Sequence, residues 1–142
     1  MNILNILTKK RIIGNVGEDA VRRYLRRKHY KILARNYVAE GHEIDIIAED
    51  KMHLCFVEVK TRTLGRENPN EPRPSSAVTP KKQQGIILAA ADFLSMRKNT
   101  KRIRFDVAEV LVNERTEVQS INYIENAFTR DTAYYSKGIR RK

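Results

Sequence analysis

An acid and a lysine stand out in the run Met52 to Arg62, MHLCFVEVKTR, because Glu58 and Lys60 interrupt an otherwise apolar stretch. Leu54 and Phe56 occupy one strand parity and Cys55, Val57 and Val59 the other, the pattern of a central strand covered on both faces. Glu58 and Lys60 share a parity, so they point the same way, about 6.6 Å apart at 3.3 Å per residue. Opposite charges near the end of a buried strand are costly unless something uses or neutralises them. One strand earlier, in Glu43-Ile44-Asp45-Ile46-Ile47, alternation is expected to bury Ile44 and Ile46 on one face and to send Asp45 with Ile47 to the other. If the two strands are neighbours, Asp45 and Glu58 converge on one point. Two carboxylates, completed by water and a substrate phosphate, are what Mg²⁺ or Mn²⁺ accepts. The competing reading is a structural ion pair of Lys60 with Asp45 or Glu58. The E-x-K triplet is cheap by itself, since Glu49-Asp50-Lys51 repeats it in a turn-like place.

The elements that must position these residues follow from periodicity. From Arg11 to Lys28, Ile13, Val16, Val21, Tyr24 and Leu25 recur at helical spacing, with Arg22, Arg23, Arg26 and Arg27 on the outer side. Glu18 lies on the margin of the inward stripe, where a carboxylate needs a partner: Arg22 one turn on, or something in the site. Tyr30–Val38, His42–Glu49 and Met52–Thr61 read as three strands of an antiparallel meander. All four prolines then fall between Arg62 and Lys81, a long connection of the kind that tends to be functional or disordered. Pro80 opens a second helix ending near Arg97, and 103–112 and 118–124 read as two more strands. The order helix, three strands, helix, two strands makes an α/β domain, a sheet with helices packed on it.

With 142 residues, 41% of them hydrophobic and 32% charged, the chain is expected to be a single domain over 1–142, its core about 11–125 and its basic tail 127–142. Tyr134 and Tyr135 in that tail have no assigned role. One cysteine, Cys55, excludes an internal disulfide and a thiolate zinc cage. His29, His42 and His53 lack zinc-ligand spacing, and His42 reads as a solvent-facing residue at a strand start. The apolar patch Met1 to Leu7 precedes Lys9, Lys10 and Arg11, the wrong order for a secretory signal and too short for a bilayer. A cytoplasmic protein with no membrane partner is expected. The formal charge of +11 speaks for a polyanionic partner, first of all nucleic acid. Ten basic residues lie between Lys9 and Arg35 against Glu18 and Asp19, whereas Glu40 to Glu58 is an acidic pole. Acid surrounded by base suggests a cation held beside a bound phosphate. Arg22, Arg26, Arg62, Lys81, Lys82 and Gln83 are the candidate contacts to backbone phosphates, which position a substrate without reading its sequence. Asp106 reads as a structural partner of Arg104 or Arg102.

The segments GNVGEDAVRRYL, ARNYVAEGHEIDIIAED, LCFVEVKTR, AVTPKKQ and RFDVAEV, in this order between Gly14 and about Val112, resemble the YraN family of bacterial proteins. That family is placed in the PD-(D/E)XK nuclease superfamily, near archaeal Holliday junction resolvases. The resemblance implies a restriction-endonuclease-like core, a central mixed five-stranded sheet flanked by helices. It also implies roles: Asp45 and Glu58 as the metal-binding acids, Lys60 as the motif lysine and Glu18 as the first-helix glutamate of the resolvase branch. The usual Pro-Asp dipeptide is Ile44-Asp45 here, and His42 stands where the family commonly has glycine.

The resulting expectation is a Mg²⁺-dependent endonuclease cutting DNA, branched or single-stranded, with Glu18, Asp45, Glu58 and Lys60 as its catalytic set. A non-catalytic nucleic-acid-binding module with the same fold, or a basic scaffold for an acidic protein, are the alternatives. A resolvase reaction needs two active sites, hence a homodimer, although no self-association stripe stands out in the sequence.

Overall fold

The computed structural model describes residues 2–65 and 78–131. Most of the proline-rich connection (66–77) and the tail from 132, with Tyr134, Tyr135 and the last basic residues, lie outside the described residues. The elements run α1 (Ile3–Arg27), β1 (Lys31–Ala39), β2 (His42–Glu49), β3 (His53–Thr63), α2 (Pro80–Ser95), β4 (Arg102–Val112) and β5 (Val118–Phe128). One five-stranded sheet keeps chain order, β1-β2-β3-β4-β5. The β3–β4 pair is parallel and the others antiparallel, so the sheet is mixed.

Local chemistry sets most of these boundaries. The α1 helix starts eight residues earlier than periodicity from Arg11 suggests, because the Asn2 side chain accepts a hydrogen bond from the Leu4 amide at 3.0 Å and caps it. Glu40 and Gly41, both at positive φ, form the two-residue turn that pairs Ala39 with His42, the geometry favoured in tight hairpins. Asp50 turns the chain from β2 to β3 by accepting from the Met52 and His53 amides. Thr79 caps α2 through the Lys82 amide at 3.2 Å, and Pro80 supplies its first turn.

The two helices cover opposite faces. Against α1, Val21 and Leu25 pack with Ile46, Cys55, Val57 and Val110; against α2, Ile86 and Ala90 pack with Ile47, Phe56 and Val107. Cys55 is fully buried between α1 and the sheet. Both helices approach the sheet through a glycine. A Cβ on Gly17 would lie 1.9 Å from the Thr61 hydroxyl, and one on Gly85 would lie 2.3 Å from the His42 ring. His42 therefore lies against α2 instead of facing solvent, and its ring needs Gly85 to fit.

Strict alternation fails in β1 and β2 at one rung. Ile44 packs with Ile47 on the α2 side, whereas Ile46 packs on the α1 side. This corrects the expected grouping of Ile44 with Ile46. In β1 the parity changes as well: Ala34 and Tyr37 both pack toward α2. Between them stands Asn36 at φ +50°, and the register places it opposite Asp45. Asparagine tolerates this left-handed conformation better than other side chains, and one such residue re-aims the strand beyond it.

Candidate metal centre

The disturbed rung creates the site. Pairing of β2 with β3 runs from Glu49–Leu54 to Ile46–Val57 and stops there. The next residue, Asp45, replaces the missing ladder bond: its Oδ2 accepts from the Val59 amide at 2.8 Å. That bond fixes the carboxylate of Asp45 in the gap between the strands, beside Glu58.

Glu18 of α1, Asp45 of β2 and Glu58 of β3 line one cleft of about 480 Å³, walled by Lys10, Ile13 and Gly14 of α1 and by Val59, Thr61 and Thr63 of β3. Gly17 brings α1 close enough for Glu18, the next residue, to reach this cleft. Glu58 is 4% exposed, and its Oε2 is buried with no hydrogen-bond donor. Its other oxygen has Lys82 Nζ at 3.7 Å and Lys60 Nζ at 4.0 Å. Burial pushes the Glu58 carboxyl up to about 8, the Asp45 carboxylate adding to the effect while the two lysines oppose it. Burial likewise raises Glu18 to about 7, reinforced by Asp45 and Glu43. Asp45 is raised for the same first reason, with the Val59 amide pulling the other way. Three carboxyls that resist ionising together mark a place where positive charge is wanting.

A divalent cation fits this donor set. Glu18, Glu43 and Asp45 each offer an oxygen, all within 4.8 Å of one another, and the orphaned Glu58 Oε2 lies beside Asp45. Hard oxygen donors of this kind suit Mg²⁺ or Mn²⁺.

The structure thus brings together Glu18, Asp45, Glu58 and Lys60. The six candidate phosphate contacts scatter. Lys82 lies in the site, on Glu58. Arg22 pairs with Asp19, which leaves Glu18 to the cleft, and Arg62 stands 3.9 Å from Glu109. Lys81 and Arg26 are exposed, Arg26 two turns past Glu18. Gln83 is buried and donates its amide to the Val78 carbonyl at 2.9 Å, so it faces the interior and not a phosphate.

Two residues of the site were missed in the sequence. Glu43 shares the parity of Asp45 two positions away, a signal present in the string. Asn36, with its side-chain nitrogen turned toward the acids, donates to Glu43 at 2.8 Å and to Glu18 at 3.2 Å, tying β1, β2 and α1 together. An asparagine amid strand-forming residues was the only hint of it.

A family profile described as "Uncharacterised protein family UPF0102" matches residues 17–110. A UPF0102 protein of Caldanaerobacter subterraneus is 42% identical over 84% of this chain and 96% of its own length. One of Chlorobium phaeobacteroides is 40% identical over 82% and 93%, and one of Geobacter metallireducens 41% identical over 82% and 91%. The matched span holds Glu18, Asn36, Glu43, Asp45, Glu58, Lys60 and Lys82. The chain belongs to the UPF0102 family, the YraN family of the sequence resemblance.

Proposed function

We propose that this protein is a Mg²⁺-dependent endonuclease that hydrolyses phosphodiester bonds in DNA. The observation that carries the proposal is the convergence of Glu18, Asp45 and Glu58 on one cleft, with a buried Glu58 oxygen that no donor satisfies and two lysines beside it.

Asp45 and Glu58 would hold the ion, with Glu18 completing the set from the helix. Bound there, the ion would supply Lewis-acid stabilisation of phosphate oxygens and would acidify a water at neutral pH. The chain's own groups do the remainder. Lys60 and Lys82 approach Glu58 from β3 and from the first turn of α2, so a phosphate entering the cleft meets two cations that stabilise charge developing on its oxygens. The Val59 amide holds Asp45, and Asn36 holds Glu18 and Glu43, so the acids need little reorganisation when a cation arrives. The basic surface around this acidic centre supplies sequence-independent attraction to nucleic acid. Among the described residues no helix is long and apolar enough to cross a membrane.

The test is cleavage of duplex, single-stranded and four-way-junction DNA with Mg²⁺ or Mn²⁺, beside Glu58→Ala and Lys60→Ala. Metal-dependent cutting lost in both variants is the expected result. Cutting that survives both, or none by the unaltered protein under any metal, overturns the reading.

A further inference from the structure

The α1 helix extends well before its first buried residue, Gly17. Gly17, Val21 and Leu25 are its buried line, and stepping back from Gly17 by threes and fours gives Gly14, Lys10, Leu7 and Ile3. Gly14 and Lys10 line the carboxylate cleft. Beyond them the same line overhangs: Leu7 is 55% and Ile3 70% exposed, and Ile6 on its margin is 38% exposed. The core-facing side of the helix thus runs on past the cleft wall with its apolar side chains exposed among the described residues. Between residues 2 and 17 the helix carries Lys9, Lys10 and Arg11 and no acid. This segment also precedes the span that the family profile matches, which begins at residue 17.

We propose that this overhang seats an unpaired nucleic-acid strand, with Lys10 on its backbone at the cleft mouth and Leu7 and Ile3 against its base faces. The substrate class of the proposed nuclease would then be single-stranded, and the inference rests on that reading. Three observations carry it. Continuity is the first: Leu7 and Ile3 are the next turns of the helix line that passes through Gly14 and Lys10 in the wall of the cleft holding Glu18 and Asp45. Charge is the second: three cations without an acid select an anionic occupant, and a second copy of this chain would bring the same three cations against them. Shape is the third. Glu58 sits in the floor of a concave cleft at 4% exposure, whereas a duplex is a stiff rod with its phosphates on a convex surface. An unpaired strand bends into such a cleft and also bares base faces that apolar side chains can cover, which a stacked duplex hides. From Ile3 to Glu18 the helix rises about 22 Å at 1.5 Å per residue, room for at most about six nucleotides, since the duplex spacing of about 3.4 Å is a lower bound for an unstacked strand.

The test is fluorescence anisotropy of labelled oligothymidylates of three, six, nine and twelve nucleotides, with Ca²⁺ in place of Mg²⁺. The full chain is compared with Ile3→Ser/Leu7→Ser and with Lys10→Ala, and duplex of equal length serves as competitor. Ile3 and Leu7 are exposed, so melting curves of the double variant should match those of the parent. The expected result is affinity that rises with length and levels off by about six nucleotides, with duplex competing poorly. The double variant should bind the twelve-mer about tenfold more weakly and the trinucleotide unchanged, and Lys10→Ala should lower the salt slope by about one phosphate.

Equal affinity for duplex, or a double variant indistinguishable from the parent, overturns the proposal. So does a parent dimer that the double variant converts to monomer in sedimentation, since a second copy would then own the surface. Binding to phosphatidylserine vesicles that the double variant abolishes would assign the overhang to a membrane instead. Strand binding is read without turnover, whereas a Mn²⁺ titration of the parent reads the carboxylates. Failure of the nuclease reading is therefore seen separately from failure of this one.

Discussion

The sheet holds two aspartates inside strands, each facing an asparagine at positive φ on the neighbouring edge strand: Asp45 opposite Asn36, and Asp106 opposite Asn126. Their surroundings differ in the way that separates a structural charge from a functional one. Asp106 is fully buried and fully answered. Arg104 grips it with Nε at 2.9 and 3.1 Å and with a terminal nitrogen at 3.0 Å, the Tyr123 hydroxyl donates at 2.6 Å, and the Asn126 amide donates at 3.0 Å. Arg104 is in turn held by the Tyr30 hydroxyl at 2.8 Å. The Asp45 group has the reverse composition: three acids, Glu18, Glu43 and Asp45, within reach of one another, and beside Asp45 a Glu58 with one orphaned oxygen and with Lys82 and Lys60 at 3.7 and 4.0 Å from the other. One cluster has spent its hydrogen-bonding capacity on the fold, and the other has kept it.

The comparison is open to attack from several sides. The largest effect is expected at the satisfied end. Asp106→Ala leaves the buried Arg104 with only the exposed Glu125, 3.6 Å away, as counter-charge and should cost about 3–5 kcal/mol in urea unfolding, leaving little folded protein. A small cost would mean that the network is not what distinguishes the two clusters. At the open end the sign should invert. Glu58→Gln puts a neutral amide in place of a buried carboxyl that must either hold a proton above its ordinary range or face Asp45 as a second charge, so thermal unfolding should show a gain of about 1 kcal/mol. The same variant should lose roughly a hundredfold or more of any metal-dependent cleavage. A destabilised Glu58→Gln protein would rank Glu58 with Asp106 as a structural residue.

The pH dependence sharpens the contrast. Glu58 and Glu18 are raised to about 8 and about 7 in the folded chain, from 4.5 in the unfolded one. Between pH 4.5 and 8 the folded state binds more protons than the unfolded, so stability falls as pH rises through that window. In the metal-free protein the loss should be on the order of 1–3 kcal/mol between pH 5 and 8. Millimolar Mg²⁺ should reverse it, and Glu58→Gln should flatten it. A melting temperature that is level from pH 5 to 8 would remove the claim that these acids repel. A milder probe leaves the charges alone. Gly17→Ala drives a methyl into Thr61 and should cost about 1–2 kcal/mol, partly recovered by Thr61→Ala, which clears the atom that clashes. No recovery would mean that α1 approaches the sheet for another reason.

The sequence disclosed the parts of the site that depend on type and parity in one strand. Glu58 and Lys60 announce themselves because charge in a two-faced apolar run is costly, and Asp45 follows from the adjacent strand. The element order is legible for the same reason, since each strand carries its own apolar pattern, whereas the mixed sheet follows only from the family resemblance. What stayed hidden depends on geometry that breaks the pattern. The parity change at Asn36 and Asp45 defeats any reading that assumes a period of two, so Ile44 and Ile46 were grouped together and Glu43 was left outside the site. The early start of α1 rests on one capping bond from Asn2, set among residues whose side chains are exposed and carry little amphipathic signal. Gln83 shares a basic neighbourhood with Lys82, but one step around the helix separates a side chain beside Glu58 from one in the core.

The lone thiol of the molecule has a use of its own. Cys55 lies in the middle strand under α1, and burial pushes its thiol up to about 12, leaving almost no nucleophilic thiolate at neutral pH. A modifying reagent such as dithionitrobenzoate can reach it only when α1 lifts or the sheet opens. The rate of colour development therefore clocks that opening, and a comparison with and without Mg²⁺ would show whether filling the acid cleft clamps the helix that forms its wall.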